Sequence, residues 1–267
     1  MIQPQDPHQN PGYVDAHYLM QAAQWMLPLK QRSYAIIDAS EGSQVLDIGC
    51  GPGIDTVALG HIVGERGKVV GVDNDAEMIM LADQRAATEG VAGWVEHHTV
   101  DAAALPFADN SFDAVRAERV FQHLTAPETV LAEMVRVTRS GGVILLMDTD
   151  WSSVSLHAPG LDPELTWKLR RLLVDLRYNG FAGRQLYTLL KQQHLADVYA
   201  DVVSVPMVDW NIVRMITRWD KLRTYAESGA GMSPEELDRV DAICSQAAAQ
   251  GTFWSYACTI LAAAHKP

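Results

Sequence analysis

The segment from Val45 to Gly53, VLDIGCGPG, limits the possible folds of this chain more strongly than any other part of the sequence. An apolar run ends in an acid, three glycines alternate with Cys50 and Pro52, and a helical pattern follows. We predict a buried strand, a tight turn and a helix start, because Gly49 permits a sharp exit from the strand and Pro52 lies where a first helical turn tolerates a missing N–H. Gly51 lets a ligand lie against the main chain, and the N–H groups of the helix start favour a carboxylate or phosphate.

The spacing of the glycines distinguishes two kinds of nucleotide-binding turn. A dinucleotide-binding turn reads G-x-G-x-x-G, whereas this chain reads G-x-G-x-G directly after Asp47 and Ile48. That pattern resembles motif I of the class I S-adenosylmethionine (SAM)-dependent methyltransferases. An NAD-dependent oxidoreductase is the first alternative, and both the glycine spacing and the acid after the third predicted strand argue against it.

An acid follows the second predicted strand at the distance that a nucleoside ribose requires. The strand is Lys68–Asp73, and Asp73 lies about 20 residues after Gly51, the spacing of acids that accept hydrogen bonds from ribose hydroxyls. The resemblance implies that Asp73 holds the ribose of SAM, that Asn74 assists and that Met78 meets the adenine. The alternatives are that Asp73 caps the helix predicted at 76–89 and that Met78 belongs to the core.

Further segments extend the resemblance over about residues 43–150. A third predicted strand, at 94–100, is followed by Asp101 and Ala102, which the resemblance places at the adenine; the alternative for Asp101 is a turn residue. The segments LPFADNSFDAV at 105–115 and RVTRSGG at 136–142 resemble the ubiquinone/menaquinone-methylase-like (methyltransferase type 11) branch, which methylates small molecules.

The resemblance implies an α/β fold: a Rossmann-like, seven-stranded, mostly parallel sheet with an antiparallel last strand and helices on both faces. We predict a helical cap at 1–40, with two helices that meet near Pro28, and a SAM-binding core at 41–150. A helical variable region follows at 151–197. The last segment, at 198–267, completes the sheet and contains a helical lid insertion at about 209–250. Tyr13, Tyr18 and Arg32 are candidate lid contacts, and ordinary helix surface is the alternative for each.

The resemblance implies SAM as the cofactor. The glycine turn would meet it through the main chain, and Asp47 beneath the turn would hold its ammonium group through water. Glu118 follows the fourth predicted strand, and its backbone could meet the same amino group. The turn residues in this prediction are Gly49, Cys50, Gly51 and Gly53.

SAM carries an activated methyl group, so the protein contributes mainly alignment and water exclusion. An acceptor that must lose a proton benefits from a base. His123, past the end of the fourth strand, is the candidate base, and the alternative is that it only orients its loop. Arg119 could hold an acidic acceptor or the cofactor carboxylate. The remaining candidate acceptor contacts are Asp150, Trp151, Trp210 and Trp219.

The aromatic segment 209–228 could instead be plain core. Asp148 and Asp150, at the end of a fifth strand predicted at 143–147, could suggest a metal, but a third ligand is not visible in the sequence, so we expect none.

The net charge of −12 and the absence of a basic stripe argue against a nucleic-acid partner. No apolar run approaches the ~20 residues of a membrane span, and the polar start has no signal-peptide pattern. Three cysteines without a CxxC pair argue against a disulfide framework. We therefore expect a cytoplasmic methyltransferase that acts on an O, N or C atom of a small molecule. A protein that binds SAM without methyl transfer, for regulation or to promote a rearrangement, is the second alternative.

Overall fold

The strands of the computed structural model, which describes residues 16–229 and 231–267, form one sheet. They are β1 (Gln44–Ile48), β2 (Lys68–Asp73), β3 (Val95–Thr99), β4 (Phe112–Glu118), β5 (Thr138–His157), β6 (Ala196–Met207) and β7 (Trp254–His265). Within the described residues the order is β3-β2-β1-β4-β5-β7-β6. Strands β1 to β5 pair in parallel, and β7 runs antiparallel to β5 and β6. The predicted fold class is confirmed. The predicted lid contact Tyr13 lies outside the described residues.

Helices connect the strands. They are α1 (Ala16–Trp25), α2 (Leu27–Ile36), α3 (Ile54–Val63), α4 (Ala76–Thr88), α5 (Pro127–Val137), α6 (Pro163–Asp175), α7 (Ala182–Gln192), α8 (Trp210–Thr217), α9 (Trp219–Glu227) and α10 (Pro234–Ala249), and a 3₁₀ turn covers Phe121–His123. The first two helices meet at Met26, close to the predicted junction at Pro28. The start of α10 carries a capping box, because Ser233 and Glu236 each accept the other's main-chain N–H.

Two layers of helices cover the sheet. On one face, α5 and α7 bury residues such as Met134 and Leu190 against the strands. On the other face, α2 and α3 bury residues such as Leu29 and Leu59. Because both faces are covered, the central strands are mostly apolar, and β4 carries the exceptions Arg116 and Glu118.

A separate apolar cluster lies beside the sheet and joins α6, α8, α9 and α10 to the last part of β5. Each of these helices contributes a stripe of buried residues, and Trp210, Leu222 and Val240 are among them. The cluster gives these helices a core of their own at the C-terminal side of the fold.

Two predicted boundaries are wrong. β5 was expected at 143–147 but continues to His157, because its last residues pair again with β7 after an irregularity between Asp150 and Ser155. The single helical stretch expected at 209–228 is broken at Arg218, whose left-handed backbone (φ 57°) ends α8 and starts α9. The predicted division into four regions stays a proposal, with its boundary at residue 150 inside β5.

Candidate functional site

The crevice between β1 and β4 is the place where the strand order reverses. From β1 the chain enters α3 on one face of the sheet, whereas α5, which follows β4, packs on the other face. The two exits lie close together, since a Cβ added to Gly49 would be 2.5 Å from Cγ2 of Val120. Ligands of open α/β sheets bind in such a crevice, beyond the carboxyl ends of the strands.

The glycine turn after β1 presents main chain to this crevice. Gly49 and Gly53 have φ angles of 66° and 75°, which residues with a Cβ rarely adopt. A Cβ on Gly53 would also lie 2.8 Å from Cβ of Ala82, so α3 and α4 could not approach as they do. The Cys50 N–H donates to the Val72 carbonyl (3.0 Å), and its side chain is buried. The Cys50 carbonyl accepts the Gly53 N–H at 3.2 Å, so the main chain of Cys50 shapes the turn.

Asp73 holds the glycine turn in place. One of its carboxylate oxygens accepts the Gly51 N–H at 2.9 Å, and the other accepts the Asp75 N–H at 3.0 Å. The N-cap of α4 is Asp75, which accepts the Glu77 N–H, so the alternative that Asp73 caps this helix is wrong. Burial raises the pKa of Asp73. Asn74 beside it is exposed.

The loop after β3 lies beside Asp73, because the Val100 N–H donates to the Asp73 carbonyl at 2.9 Å. Asp101 is exposed and accepts the Ala103 N–H at 2.9 Å, so it has the turn role that was its alternative. Ala102 packs against the core, and Met78 of α4 is buried. Both remain candidate contacts to an adenine.

A buried ionic network lies beneath the turn. Arg116 of β4 is fully buried; it donates to Asp47 at 3.0 Å and to Glu118 at 2.7 Å. Lys30 of α2 donates to Asp55 at 2.6 Å and to Glu118 at 2.8 Å. Our sequence reasoning missed Lys30, Asp55 and Arg116, although a single arginine in the apolar strand β4 was a usable signal.

The network contains more acids than bases. Burial raises the pKa of Asp47 to about 7, with Arg116 opposing the shift. Burial also disfavours ionised Asp55, but Lys30 and Arg116 outweigh it and hold the Asp55 pKa well below its usual value. With Glu118, three carboxylates face Lys30 and Arg116 inside the network, and Nε of Arg119 lies 3.7 Å from Glu118 at its edge. Because burial disfavours the ionised form of Asp47, a further cation bound close to this acid would be favoured.

A small cavity of about 30 Å³ lies on the other side of the crevice. Arg119 and Trp151, two of the predicted acceptor contacts, line it. The side chains of β5 alternate, so Thr149 shares this face whereas Asp150 points away. The remaining lining residues come from α1, the joint between α1 and α2, α8, the end of β6, and β7: Tyr18, Ala22, Met26, Met207, Ile216, Ala257 and Thr259.

Four predicted acceptor contacts do not line this cavity: His123, Asp150, Trp210 and Trp219. Asp150 accepts the Nε–H of Arg184 at 2.8 Å. The rings of Trp210 and Trp219 pack edge to face, 5.1 Å apart. Trp210 also donates to Asp241 of α10 at 2.7 Å. The buried faces of α8 and α9 point to α10, so both tryptophans belong to the apolar core. This is the alternative that the sequence left open for the aromatic segment 209–228.

His123 ends the 3₁₀ turn after β4. Burial, together with the positive charges of the nearby Arg177 and Arg119, lowers its pKa to about 3. The imidazole is therefore neutral at neutral pH. Gln122 beside it accepts the Trp151 Nε1–H at 2.7 Å, which ties the turn to the cavity wall.

Arg119 has an unusual backbone for a residue with a Cβ, with φ at 57°. Its N–H donates to the Met147 carbonyl at 2.7 Å, which holds the end of β4 against β5. Among the residues that the structure describes, the buried Nε has no hydrogen-bond partner, and Oε1 of Glu118 is 3.7 Å from it. A donor left unsatisfied at a cavity wall fits an anionic or polar ligand group.

Two negative findings concern the part of the chain that the structure describes. It contains no group of three or more His, Cys, Asp or Glu side chains that could hold a metal ion. It also contains no helix that is long and apolar enough to cross a membrane.

The sequence comparisons agree with the fold. Residues 46–146 match a family described as "Methyltransferase domain". An uncharacterized 37.1 kDa protein in a transposon of Streptomyces fradiae is 38% identical over 57% of this chain and 43% of its own length. A ubiquinone/menaquinone biosynthesis C-methyltransferase of Stutzerimonas stutzeri is 35% identical over 50% of this chain and 52% of its own length. The chain thus spans about half of the length of these relatives.

Solved structures share the fold. The YcgJ protein of Bacillus subtilis has a TM-score of 0.61 and 22% identity, over 91% of this chain and 98% of that one. The phosphoethanolamine N-methyltransferase 2 of Haemonchus contortus, solved with SAM, has a TM-score of 0.54 and 21% identity, over 89% of this chain and 52% of that one. Because both identities are below 25%, the structural similarity is evidence for a shared fold only. Residues 46–146 are thus similar in sequence to known methyltransferase domains, and the fold around them is one that a solved methyltransferase shares.

Proposed function

We propose that this protein transfers the methyl group of SAM to an O, N or C atom of a small-molecule acceptor by in-line displacement. The observation that carries the proposal is the bond from the Gly51 N–H to Asp73 at the reversal of the strand order. It holds a carboxylate over a turn of exposed main chain, which is the arrangement that a nucleoside with a charged tail requires.

The residues around the crevice fit SAM. Main chain at Gly49, Cys50, Gly51 and Gly53 would lie against the cofactor, and Asp73, with Asn74, would accept hydrogen bonds from its ribose. Met78, Asp101 and Ala102 would meet the adenine. The buried carboxylate of Asp47 beneath the turn supports a place for the cofactor ammonium nearby, because a cation would stabilise its ionised form.

SAM supplies a methyl group already activated by its sulfonium. The chain's own residues then bind, align and exclude water. Tyr18 and Trp151 wall the cavity, and Arg119 reaches it from the end of β4. A pKa of about 3 makes His123 a weak base. We therefore assign it the task of accepting a hydrogen bond that orients the acceptor, which requires a neutral imidazole.

Calorimetric titration with SAM, S-adenosylhomocysteine (SAH) and NAD tests the cofactor. We expect SAM and SAH to bind, and Asp73→Asn to weaken both by about 10- to 100-fold, since hydrogen bonds to a charged group contribute about 1.5–3 kcal/mol. Asp175→Asn, at the exposed end of α6, is the matched control and should bind as the wild type does. Tighter binding of NAD than of SAM would overturn the proposal.

Transfer itself needs a second assay. The protein is incubated with methyl-labelled SAM and a panel of phenols, amines and quinol precursors, and we expect label in at least one acceptor. Binding of SAM with no labelled product across the panel would favour the second alternative, a protein that uses SAM without methyl transfer.

A further inference from the structure

The side chain of Gln122 joins two walls of the acceptor cavity, the small cavity beside the crevice. Its Oε1 accepts the Nε1–H of Trp151 at 2.7 Å, and its Nε2 donates to the Arg119 carbonyl at 3.2 Å. Trp151 and Arg119 both line the cavity, whereas Gln122 does not. Gln122 is 4% exposed, so solvent hardly competes for these bonds. A residue outside the cavity therefore holds two of the residues that form it.

The main chain of Gln122 is held as well as its side chain. Its N–H donates to Oδ2 of Asp148 at 3.0 Å, and its carbonyl accepts the Asn179 N–H at 3.1 Å. The other carboxylate oxygen of Asp148 accepts the N–H of Thr149, a third cavity residue, at 2.9 Å. The 3₁₀ turn is thus bonded both to β5 and to the segment that precedes α7.

The bond to Gln122 decides what Trp151 can offer to an acceptor. An indole has a single N–H donor and no acceptor, and this donor is used inside the protein. The Arg177 guanidinium lies over the ring, with Cζ 3.2 Å from the ring centroid, and covers one of its two faces. Trp151 therefore presents carbon to the cavity, and this surface suits an apolar part of an acceptor.

Arg119 depends on Gln122 for the position of its main chain. Its left-handed backbone, with φ at 57°, persists only where neighbouring contacts hold it. The Arg119 N–H donates to the Met147 carbonyl at 2.7 Å, and the Gln122 amide holds the Arg119 carbonyl. Loss of the amide would release one of these two contacts.

We propose that Gln122 is a positioning residue for the acceptor: its amide fixes Trp151 relative to Arg119 and keeps the indole N–H bound inside the protein. A neutral amide suits this task, because it offers an acceptor and a donor together, whereas an ionised carboxylate or a thioether does not. The inference rests on the proposed methyl transfer and adds a residue that controls how the acceptor is held.

Indole NMR tests the contact without an acceptor. In the isotope-labelled full chain, Trp151→Phe identifies the Trp151 Nε1–H signal by its loss. We expect this N–H to exchange with solvent more slowly than that of Trp167, which is 62% exposed. Gln122→Met keeps the length of the side chain but neither bond. Its Trp151 N–H should exchange about 2- to 10-fold faster, the factor that one lost hydrogen bond gives.

Transfer kinetics test the role in positioning. The substrates are methyl-labelled SAM and the compound of the acceptor panel that takes most label. We expect kcat/KM for this compound to fall about 10- to 100-fold in Gln122→Met, because a displacement of about 1 Å can cost about 100-fold. SAH affinity in calorimetry should stay close to that of the wild type. Gln122→Glu keeps an oxygen for the indole N–H and should recover part of the loss.

Gln192→Met is the matched control, since Gln192 is exposed at the end of α7, and it should change neither exchange nor transfer. The melting temperature of each variant shows that it is folded. Should Gln122→Met not fold, Gln122→Asn replaces it, because the shorter amide cannot span the distance from Arg119 to Trp151, and it should give the same pattern.

Equal exchange of the Trp151 indole in the wild type and the folded variant would overturn the proposal, and so would an unchanged kcat/KM. If SAH affinity fell as much as kcat/KM, Gln122 would act on the cofactor, and its assignment to the acceptor would be wrong. A panel without any labelled product would refute the proposed function instead, and the indole measurement would still show whether Gln122 holds Trp151.

Discussion

Gly49→Ala is the sharpest test of the crevice geometry. The backbone of Gly49 is left-handed, which costs a residue with a Cβ about 1–2 kcal/mol. The new Cβ would also lie 2.5 Å from Cγ2 of Val120 across the crevice, and overpacking of this kind costs about 1–3 kcal/mol. We therefore expect the free energy of unfolding to fall by about 2–5 kcal/mol. SAM affinity should fall with it, because the end of β4 is pushed away from the turn.

Two further variants separate the two costs. Gly90→Ala is the matched control: its φ is 74°, but no atom of the described part of the chain lies within 4 Å of the added Cβ, so it measures the backbone cost alone. Val120→Ala removes the clashing methyl and should recover about 1–3 kcal/mol in the Gly49→Ala background but not in the Gly90→Ala background.

Urea unfolding at several concentrations, with midpoint and slope fitted for each variant, supplies the free energies. The reasoning is refuted if Gly49→Ala costs no more than Gly90→Ala, or if Val120→Ala acts equally in both backgrounds.

Three further outcomes are expected. Arg116→Met should lower the free energy of unfolding by about 3–5 kcal/mol in urea, because buried carboxylates lose their cation; an unchanged midpoint would contradict this. The Asp148 pKa is raised from 3.8 to about 7, so its contribution to stability is complete below pH 3.8 and is lost as pH rises to about 7. Urea midpoints from pH 5 to pH 8 should therefore fall less steeply for Asp148→Asn than for the wild type, and equal slopes would refute the shift. Trp210→Phe should destabilise the fold by about 1–3 kcal/mol, since it removes the Nε1–H bond to the Asp241 carboxylate and leaves that group only Arg214, 3.5 Å away, while labelled methyl transfer by the folded protein stays unchanged. Slower transfer would return Trp210 to the acceptor site.

The sequence predicted best those elements whose signals are local. Strand β2 and helix α3 have the predicted bounds, since glycines end the helix and a β-branched run defines the strand. The capping box at Ser233 is likewise a property of four adjacent residues.

The buried ionic network was beyond sequence reasoning, because its pairs form across the fold. Lys30 lies 25 positions from Asp55 and 88 from Glu118, and α2 must first pack over β4 before they meet. A residue pattern gives the period of a helix or strand but not which charged groups the packing joins.

The acceptor cavity shows the same limit. Asp150 and Trp151 were both expected there, but alternation along a strand permits one of two adjacent residues to face a given side. Thr259 could be found only from the register of β7, which sets it opposite Thr149. That register depends on the sheet order, which the residues of either strand alone do not specify.

The position of β7 has a consequence for synthesis on the ribosome. This strand lies between β5 and β6, although the ribosome makes it after both. Until residues 254–265 emerge, one edge of β5 and the edge strand β6 lack their neighbour, and unpaired strand edges promote aggregation. A nascent chain that stalls before Trp254 should therefore depend on chaperones more than the finished protein does.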